Sequence, residues 1–306
     1  MTEKELEKVQ VVGLGQACVD YLGGLDSYPP EDAKLELTDL HIRCGGPAST
    51  ALVTLSRLGI STSFLGALSN DPFGVKIVEN LKKEKIDLSC LRIRPGYTTQ
   101  FSFIAITQGS GRRTIFWHRG TVPHLKRQDI DLHCFPKARV LHVDGLMVEA
   151  AIEAARQARD LGMTIVMDAG TMRQGSVELV SLVDILIASE TFAIPLVGSD
   201  ASHKATLLAL RELGPKEVVI TLGVRGSVGL NNQGVVFQEA FLVNAMDTTG
   251  AGDVYHGAYI YGLLQDWDMD RCMRFASGAA ALKCIQIGAQ TAIPNLETLH
   301  DFLVKI

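Results

Sequence analysis

The sequence predicts an α/β protein in which a mainly parallel sheet is covered by helices on both faces. Short, valine-rich runs typical of buried strands alternate with helical patterns of ten or more residues. This alternation is typical of βαβ units, whose parallel strands lie between layers of helices. Two segments, 22–43 and 98–117, break the alternation and predict a small separate sheet.

The predicted strands are apolar runs that end at glycine or at polar residues. They lie at 9–15, 62–68, 139–143, 164–167, 185–188 and 218–222. The predicted helices have apolar residues at helical spacing, and they lie at 47–58, 75–84, 149–161 and 201–213. The last two end at Gly162 and Gly214, and glycine favours the left-handed conformation that commonly follows a helix.

The small sheet is predicted from alternating or β-branched runs without helices between them. These runs are 35–38, 101–106 and 113–116, and the stretch 108–111 indicates a hairpin turn. We therefore expect antiparallel strands that project from the main sheet.

The composition favours a globular protein of the cytoplasm. The 306 residues suffice for two domains or for one α/β domain with an appended sheet. A net charge of −5 gives no electrostatic reason to expect nucleic-acid binding. No apolar run approaches the ~18 residues of a membrane span, and the charged N-terminus lacks the apolar core of a signal peptide. Six cysteines without C-x-x-C pairing are typical of reduced thiols, not of disulfides or a zinc site.

The most informative segment is Asp-Thr-Thr-Gly-Ala-Gly-Asp at 247–253, directly before an apolar helical run. A Gly-Ala-Gly turn that opens a helix leaves backbone N–H groups free, and the helix dipole favours an anion there. Asp253 lies inside this cradle, where a carboxylate is useful if it takes a proton from a nucleophile. Taken alone, the same pattern is also typical of a loop with an N-capping aspartate.

The whole 247–253 segment resembles the C-terminal signature of the ribokinase-like (PfkB) family of sugar and nucleoside kinases. Its other motifs are most similar to a subgroup that includes sulfofructose kinase. The resemblance implies a three-layer α/β/α kinase domain over residues 1–306, with 22–43 and 98–117 as a β-sheet lid. It also implies ATP and Mg²⁺ as cofactors and a homodimer formed through the lid.

The resemblance assigns the reacting groups. Asp253 is the general base, and Gly250, Ala251 and Gly252 form the anion hole. An aspartate with an ordinary pKa near 3.9 is ionised at pH 7 and ready for this role. The implied sugar-binding residues are Asp20, Gly45, Gly46, Thr50 and Arg113, and Thr50 stands where the family usually has asparagine. Outside the resemblance, each of these is also typical of a turn, a cap or a solvated surface.

The resemblance also implies the nucleotide and metal sites. Thr221, Gly223, Gly226, Ser189 and Ser277 are expected beside the nucleotide. The family's N-x-x-E motif corresponds to 189–192, so its glutamate is replaced by Phe192, and the displaced Glu190 is the remaining candidate for Mg²⁺. Three further residues are expected to bind a monovalent ion such as K⁺, and they are Asp247, Thr249 and Gly288.

Other classes of protein fit the sequence less well. The G-x-G-x-x-C at 13–18 lacks the third glycine of a dinucleotide-binding motif and a helix directly after it. The chain has neither a P-loop nor a G-x-S-x-G elbow, and its eight histidines have no metal-ligand spacing. The sequence and the resemblance therefore predict ATP-dependent phosphorylation of a hydroxyl group, expected to be a primary one, of a sugar or sugar derivative. A nucleoside kinase and a non-catalytic binding protein on the same fold are the alternatives.

Overall fold

The computed structural model describes residues 8–109 and 112–305. Within these residues, the large sheet has eight strands. Its strands are β1 (Val11–Leu14), β4 (Thr62–Leu65), β9 (Val140–Val143), β10 (Thr164–Ala169), β11 (Ile185–Ser189), β12 (Glu217–Thr221), β13 (Ser227–Asn231) and β14 (Gly234–Gln238). The order is β14-β13-β12-β11-β10-β9-β1-β4. Among the strand pairs of this sheet, β12–β13 and β13–β14 are antiparallel and the other five are parallel, so the predicted mainly parallel sheet is confirmed.

Helices cover both faces of this sheet. They are α1 (Pro47–Arg57), α2 (Pro72–Lys83), α3 (Val148–Asp160), α4 (Ser176–Val180), α5 (Ile194–Val197), α6 (His203–Glu212), α7 (Ala251–Leu264), α8 (Met269–Lys283) and α9 (Leu296–Lys305). Helices α3, α4 and α6 pack in one apolar core, and α1, α2, α7, α8 and α9 pack in another. Along β1, Val12 and Leu14 face the first core and Val11 faces the second, as the alternation of a strand requires.

The small sheet has the order β3-β2-β7-β8, with β2 at Cys18–Leu25, β3 at Leu40–Gly45, β7 at Phe101–Thr107 and β8 at Arg113–His118. The prediction of a wholly antiparallel sheet is wrong, because β2 and β7 are parallel. These two strands are joined by a long crossover through α1 and α2, which lets them run in the same direction. Residues 35–38 form no strand, and part of the predicted turn at 108–111 lies outside the described residues.

Most predicted elements are found within a few residues of their expected bounds. The predicted strand 62–68 is divided at Gly66 into β4 and a short β5 (Ala67–Leu68), which pairs with β6 (Arg92–Ile93). Helix α2 begins earlier than predicted because the Asp71 side chain caps it by accepting from the Gly74 N–H at 2.9 Å. Across the described part of the chain, no helix combines the length and apolar character needed to cross a membrane.

Candidate active site

Polar residues gather where the parallel strands of the large sheet end. Asp144 follows β9, Asp168 lies near the end of β10, and Ser189 and Thr221 are the last residues of β11 and β12. The carboxyl ends of parallel strands meet at one edge, which is the usual place for a ligand in an open α/β sheet. This edge is therefore the candidate site.

The N-terminus of α7 forms the predicted cradle. Gly250 precedes the helix with a φ of +78°, and a Cβ there would lie 2.7 Å from the Ala289 Cβ. A Cβ on Gly252 would meet no heavy atom within 4 Å, so this residue borders open space. The Ala251 N–H donates to the Thr248 carbonyl oxygen at 3.2 Å, whereas no side chain caps α7, so the Gly252 N–H remains available to an anion.

Asp253 lies in the first turn of α7, and its carboxyl group is not an ordinary one. Burial and the nearby Asp168 raise its pKa to about 7, against the opposing effects of His256 and Arg113. The expectation of an ordinary aspartate pKa is therefore wrong. Burial and the nearby Asp144 also raise the pKa of Asp168. Carboxyl groups that resist ionisation in a buried cluster accept protons well near neutral pH.

His256 holds the turn that contains these groups. Its Nδ1 lies 2.6 Å from the Gly252 carbonyl oxygen, and its Nε2 lies 3.6 Å from Asp168 Oδ1 and 3.3 Å from the Ile187 carbonyl oxygen. Burial lowers the pKa of His256, against the effects of its hydrogen bonds. His256 is buried, and its contacts link β10 and β11 to the anion hole.

The predicted sugar end brings Asp20 against Gly45. A Cβ on Gly45 would lie 2.1 Å from Asp20 Oδ2, so only glycine admits the carboxylate here. Asp20 accepts from Cys18 Sγ at 3.2 Å, and burial raises its pKa to about 6 although hydrogen bonds from Cys18 and Ser102 lower it. Gly46 is the N-cap residue that precedes α1, and its φ is +103°.

One face of the small sheet carries the polar wall of a cavity. In register across β2, β7 and β8, Asp20 is opposite Ser102, and Ser102 is opposite Trp117. The adjacent cavity has a volume of about 210 Å³, and its lining includes Gln16, Cys18, Gly46, Gln100, Ser102, Trp117 and Arg173. Arg173 Nε is buried without a hydrogen-bond partner among the described residues.

Two further predicted sugar-binding residues, Thr50 and Arg113, form hydrogen bonds with other residues of the protein. Thr50 is fully buried in α1, and its Oγ1 accepts a hydrogen bond from Gln290 Nε2 at 3.2 Å. The Thr50 hydroxyl is therefore hydrogen-bonded inside the protein, and its role in sugar binding stays a prediction. Arg113 Nη1 donates to Thr248 Oγ1 at 2.8 Å, so β8 contacts the turn that leads into the anion hole.

The residues expected beside the nucleotide lie at the ends of β11 and β12, except Ser277. Gly223 borders open space, whereas a Cβ on Gly226 would lie 2.0 Å from the Gln238 carbonyl oxygen, so Gly226 serves the turn into β13. Thr221 Oγ1 donates to the Ala188 carbonyl oxygen at 3.3 Å, and Ser189 Oγ donates to that of Gly170 at 2.8 Å. Ser277 is buried in α8.

The structure changes the expected metal sites. Phe192 is fully buried in the core, and the Glu190 carboxylate is engaged by Arg225 Nη2 at 2.5 Å and His203 Nε2 at 3.1 Å. The Glu190 carboxylate is therefore paired with Arg225 and His203, and its role as a magnesium ligand stays a prediction. Within 8–109 and 112–305, no three His, Cys, Asp or Glu residues are grouped to hold a metal ion. A magnesium ion bound mainly to ATP phosphates needs only one or two carboxylates from the protein.

The expected monovalent-ion site is a tightly bonded turn. Asp247 Oδ1 accepts from the Thr249 N–H at 2.8 Å, and Oδ2 accepts from the Gly288 N–H at 2.8 Å. Lys283 Nζ lies 3.8 Å from Asp247 Oδ2 and donates to the Asp247 carbonyl oxygen at 2.6 Å. An ammonium group therefore already contacts the residue expected to bind the ion.

Sequence reasoning missed Asp144, Asp168, Arg173 and Lys283. For the two aspartates a signal was present, because each follows a run of buried strand residues, where a carboxylate reaches the edge of the sheet. Arg173 comes from the loop after β10, and Lys283 ends a helix, so neither has a local motif.

Comparison with known proteins finds a matching family model and relatives along nearly the whole chain. The model of the "pfkB family carbohydrate kinase" family matches residues 8–296. Ribokinase of Haemophilus influenzae is 26% identical over 300 residues, covering 95% of this chain and 97% of the relative. A 5-dehydro-2-deoxygluconokinase of Clostridium perfringens is 27% identical, covering 98% and 94%. A nucleoside kinase of Methanothermobacter thermautotrophicus is 27% identical, covering 94% of each chain.

Solved structures share the fold. Ribokinase of Arabidopsis thaliana, complexed with ribose and ATP, aligns with a TM-score of 0.82 at 23% identity, over 96% of this chain and 98% of that one. A protein of E. coli described as a ribokinase II, in complex with ATP and Mg²⁺, aligns with a TM-score of 0.84 at 20% identity, over 97% and 100%. The fold is therefore the ribokinase-like α/β fold.

Proposed function

The chain belongs to the pfkB family of carbohydrate kinases, and we propose that it transfers the γ-phosphoryl group of ATP to a primary hydroxyl of a sugar or sugar derivative. The observation that carries this proposal is the placement of Asp253 in the first turn of α7, beside the Gly250-Ala251-Gly252 turn, where no side chain caps the N–H groups. A proton acceptor and an anion-binding helix terminus are the two groups that phosphoryl transfer to a hydroxyl requires.

In the proposed reaction, Asp253 takes the proton from the attacking hydroxyl group. The hydroxyl oxygen forms a bond to the γ-phosphorus as the bond to the ADP oxygen breaks, and ADP leaves. The N–H groups at the start of α7 stabilise the charge on the transferred group. A base with a pKa of about 7 suits the transfer, since proton acceptance is most efficient near the working pH.

The two substrates are proposed to meet at α7 from opposite sides. Asp20, Gly45 and Gly46 hold sugar hydroxyls, because a carboxylate accepts such hydrogen bonds and glycine allows close approach. Thr221, Gly223 and Ser189 border the nucleotide at the ends of β11 and β12. Magnesium is carried on the ATP phosphates, and it neutralises charge there when bound.

An anionic group on the sugar is the finer substrate class that the cavity favours. Arg173 lines the cavity, and its buried Nε is unpaired in the described structure, which is costly unless a ligand binds it. A sugar acid or sugar phosphate would supply that partner, and one relative is a kinase named for a gluconate. Arg173→Met should raise KM for an acidic sugar by about tenfold and leave KM for a neutral sugar unchanged. Equal effects on both would contradict this class.

The small sheet is proposed to act as a lid and as the contact of a cytoplasmic homodimer. Its face away from the cavity exposes Leu40, Ile42 and Phe116, at 53%, 38% and 51%. A patch of exposed apolar side chains is typical of a protein interface. Light scattering should show a dimer for the wild type and a monomer for Phe116→Glu. A monomeric wild type would contradict the contact.

A panel of sugars, sugar acids, sugar phosphates and nucleosides, with product detection by mass spectrometry, tests the proposed function. We expect phosphorylation of a sugar or sugar acid, with loss of at least about 10²-fold in kcat for Asp253→Asn and no loss for the surface control Asp160→Asn. Preferred phosphorylation of a nucleoside would favour the second candidate, which the nucleoside kinase among the relatives supports. ATP binding without any phosphorylated product would favour a non-catalytic protein.

A further inference from the structure

Asp247 carries a fully buried carboxylate just before the anion hole. It is 0% exposed, and each of its oxygens accepts one backbone N–H, from Thr249 and from Gly288. Burial of a carboxylate is costly unless a cation compensates for its charge. The structure therefore requires a positive charge at a place that solvent does not reach.

Lys283 supplies that charge from the end of α8. Its side chain is also 0% exposed, and its Nζ lies 3.8 Å from Asp247 Oδ2. The ammonium group donates to the Asp247 carbonyl oxygen at 2.6 Å, so it contacts both the main chain and the side chain of that residue. The last turn of a helix is also where the helix dipole favours a cation.

Further bonds carry this contact to the anion hole. The Met246 N–H donates to the Cys284 carbonyl oxygen at 2.8 Å, which ties the segment before the turn to the end of α8. The Asp247–Thr249 hydrogen bond then fixes the two residues that precede Gly250, and Gly250 lies against Ala289. Displacement of Asp247 would therefore move the N–H groups at the start of α7.

We propose that the ammonium group of Lys283 is a built-in cation that takes the place of a monovalent metal ion beside Asp247. It positions the anion-hole turn, and it makes phosphoryl transfer independent of K⁺ and other monovalent ions. The expectation of a K⁺ site at these residues is thereby replaced by a positioning role for Lys283. The catalytic part of this inference rests on the proposed kinase function.

Cation dependence of turnover tests the proposal in the wild-type protein without any substitution. Turnover is measured with MgATP and saturating acceptor in choline chloride, KCl, NaCl or NH₄Cl at equal ionic strength. We expect kcat to agree within about twofold among the four salts, since equal ionic strength gives equal screening and Lys283 leaves no site for a monovalent ion. Severalfold activation by K⁺ or NH₄⁺ relative to choline would overturn the proposal.

Two substitutions at Lys283 separate its charge from its volume. Lys283→Ala removes both, and Lys283→Met keeps a long side chain without the charge. We expect each substitution to lower kcat about 10- to 100-fold, which is the usual effect of losing a residue that positions the reacting groups without touching the substrate. The change in KM for ATP should be smaller. K⁺, NH₄⁺ or methylammonium should restore kcat of Lys283→Ala but not of Lys283→Met, which leaves no space.

The control is Lys216→Met, because Lys216 forms an exposed ion pair with Asp184 at the start of β12. It should keep wild-type kcat in every salt. Full kcat for Lys283→Met, or a loss in Lys283→Ala that no cation restores although the variant is folded, would contradict the positioning role.

Thermal unfolding gives a second readout that does not depend on catalysis. A cation that binds the vacated space stabilises the folded state, so K⁺ or methylammonium should raise the Tm of Lys283→Ala relative to choline and leave the wild-type Tm unchanged. If no acceptor is ever phosphorylated, the kinase proposal fails, while this Tm comparison still decides whether Lys283 fills a cation site. Equal Tm responses of the two proteins would refute it.

Discussion

Replacement of Asp168 by asparagine should move the acid limb of the pH profile to lower pH. Asp253 has a pKa of about 7 against an ordinary 3.8, and Asp168 is the largest cause of this rise after burial. Asparagine has nearly the same shape and no charge, so it removes the repulsion and leaves burial in place. The base form of Asp253 should then persist at a lower pH.

The size of the effect follows from the titration of Asp253. With a pKa of about 7, only about one tenth of the wild-type sites are ionised at pH 6, because each pH unit is a factor of ten. A fall of about one unit in the variant, worth about 1.4 kcal/mol, would raise the ionised fraction at pH 6 to about one half. Asp20 also raises the pKa, whereas His256 and Arg113 lower it, and all three remain in the variant.

The assay is the pH dependence of kcat/KM for the sugar, from pH 5 to 9, because kcat/KM reports the pKa values of the free enzyme. The position of the limb is compared, not its plateau, since Asp168→Asn also changes the contact with His256 and with it the maximal rate. Asp160→Asn, on the surface at the end of α3, should keep the wild-type limb near pH 7. An unchanged or higher limb in Asp168→Asn, or a wild-type limb near pH 4, would refute the reasoning.

Three further substitutions test the packing around the site. Gly250→Ala should destabilise the protein by about 1–3 kcal/mol and lower kcat, because φ is +78° and the new Cβ meets Ala289, and urea unfolding with kinetics measures both. Gly45→Ala should raise KM for the sugar far more than KM for ATP, since its Cβ would displace the Asp20 carboxylate, and equal changes would contradict this. Phe192→Ala should cost about 3–5 kcal/mol in unfolding free energy without altering the Mg²⁺ dependence of activity, and a changed Mg²⁺ dependence would place Phe192 at the metal.

Much of the fold could be predicted because its elements have strong local patterns. The buried parallel strands are short valine-rich runs, and the helices between them have apolar residues at helical spacing. The small sheet was harder, because the parallel pairing of β2 with β7 depends on contacts between residues about 80 positions apart. No local run of residues encodes that direction.

The site could be predicted where a continuous motif encodes backbone shape, as at 247–253. Single side chains were less predictable, because their partners come from distant segments. The Thr50 hydroxyl is hydrogen-bonded to Gln290, and the Glu190 carboxylate is hydrogen-bonded to Arg225. No local sequence pattern predicts either contact. The raised pKa of Asp253 depends on Asp168 in another strand, so the motif alone indicated an ordinary carboxylate.

The most direct test of the central claim is single-turnover transfer of the γ-phosphoryl group from labelled ATP to the identified sugar, in the wild type and in Asp253→Asn. Both proteins are held above the Kd for MgATP, so that binding does not limit the rate. The account predicts phosphorylated sugar in the wild type and a rate at least about 10²-fold lower in the variant, with nearly unchanged MgATP affinity. A near-normal transfer rate in Asp253→Asn would contradict the assignment of Asp253 as the base.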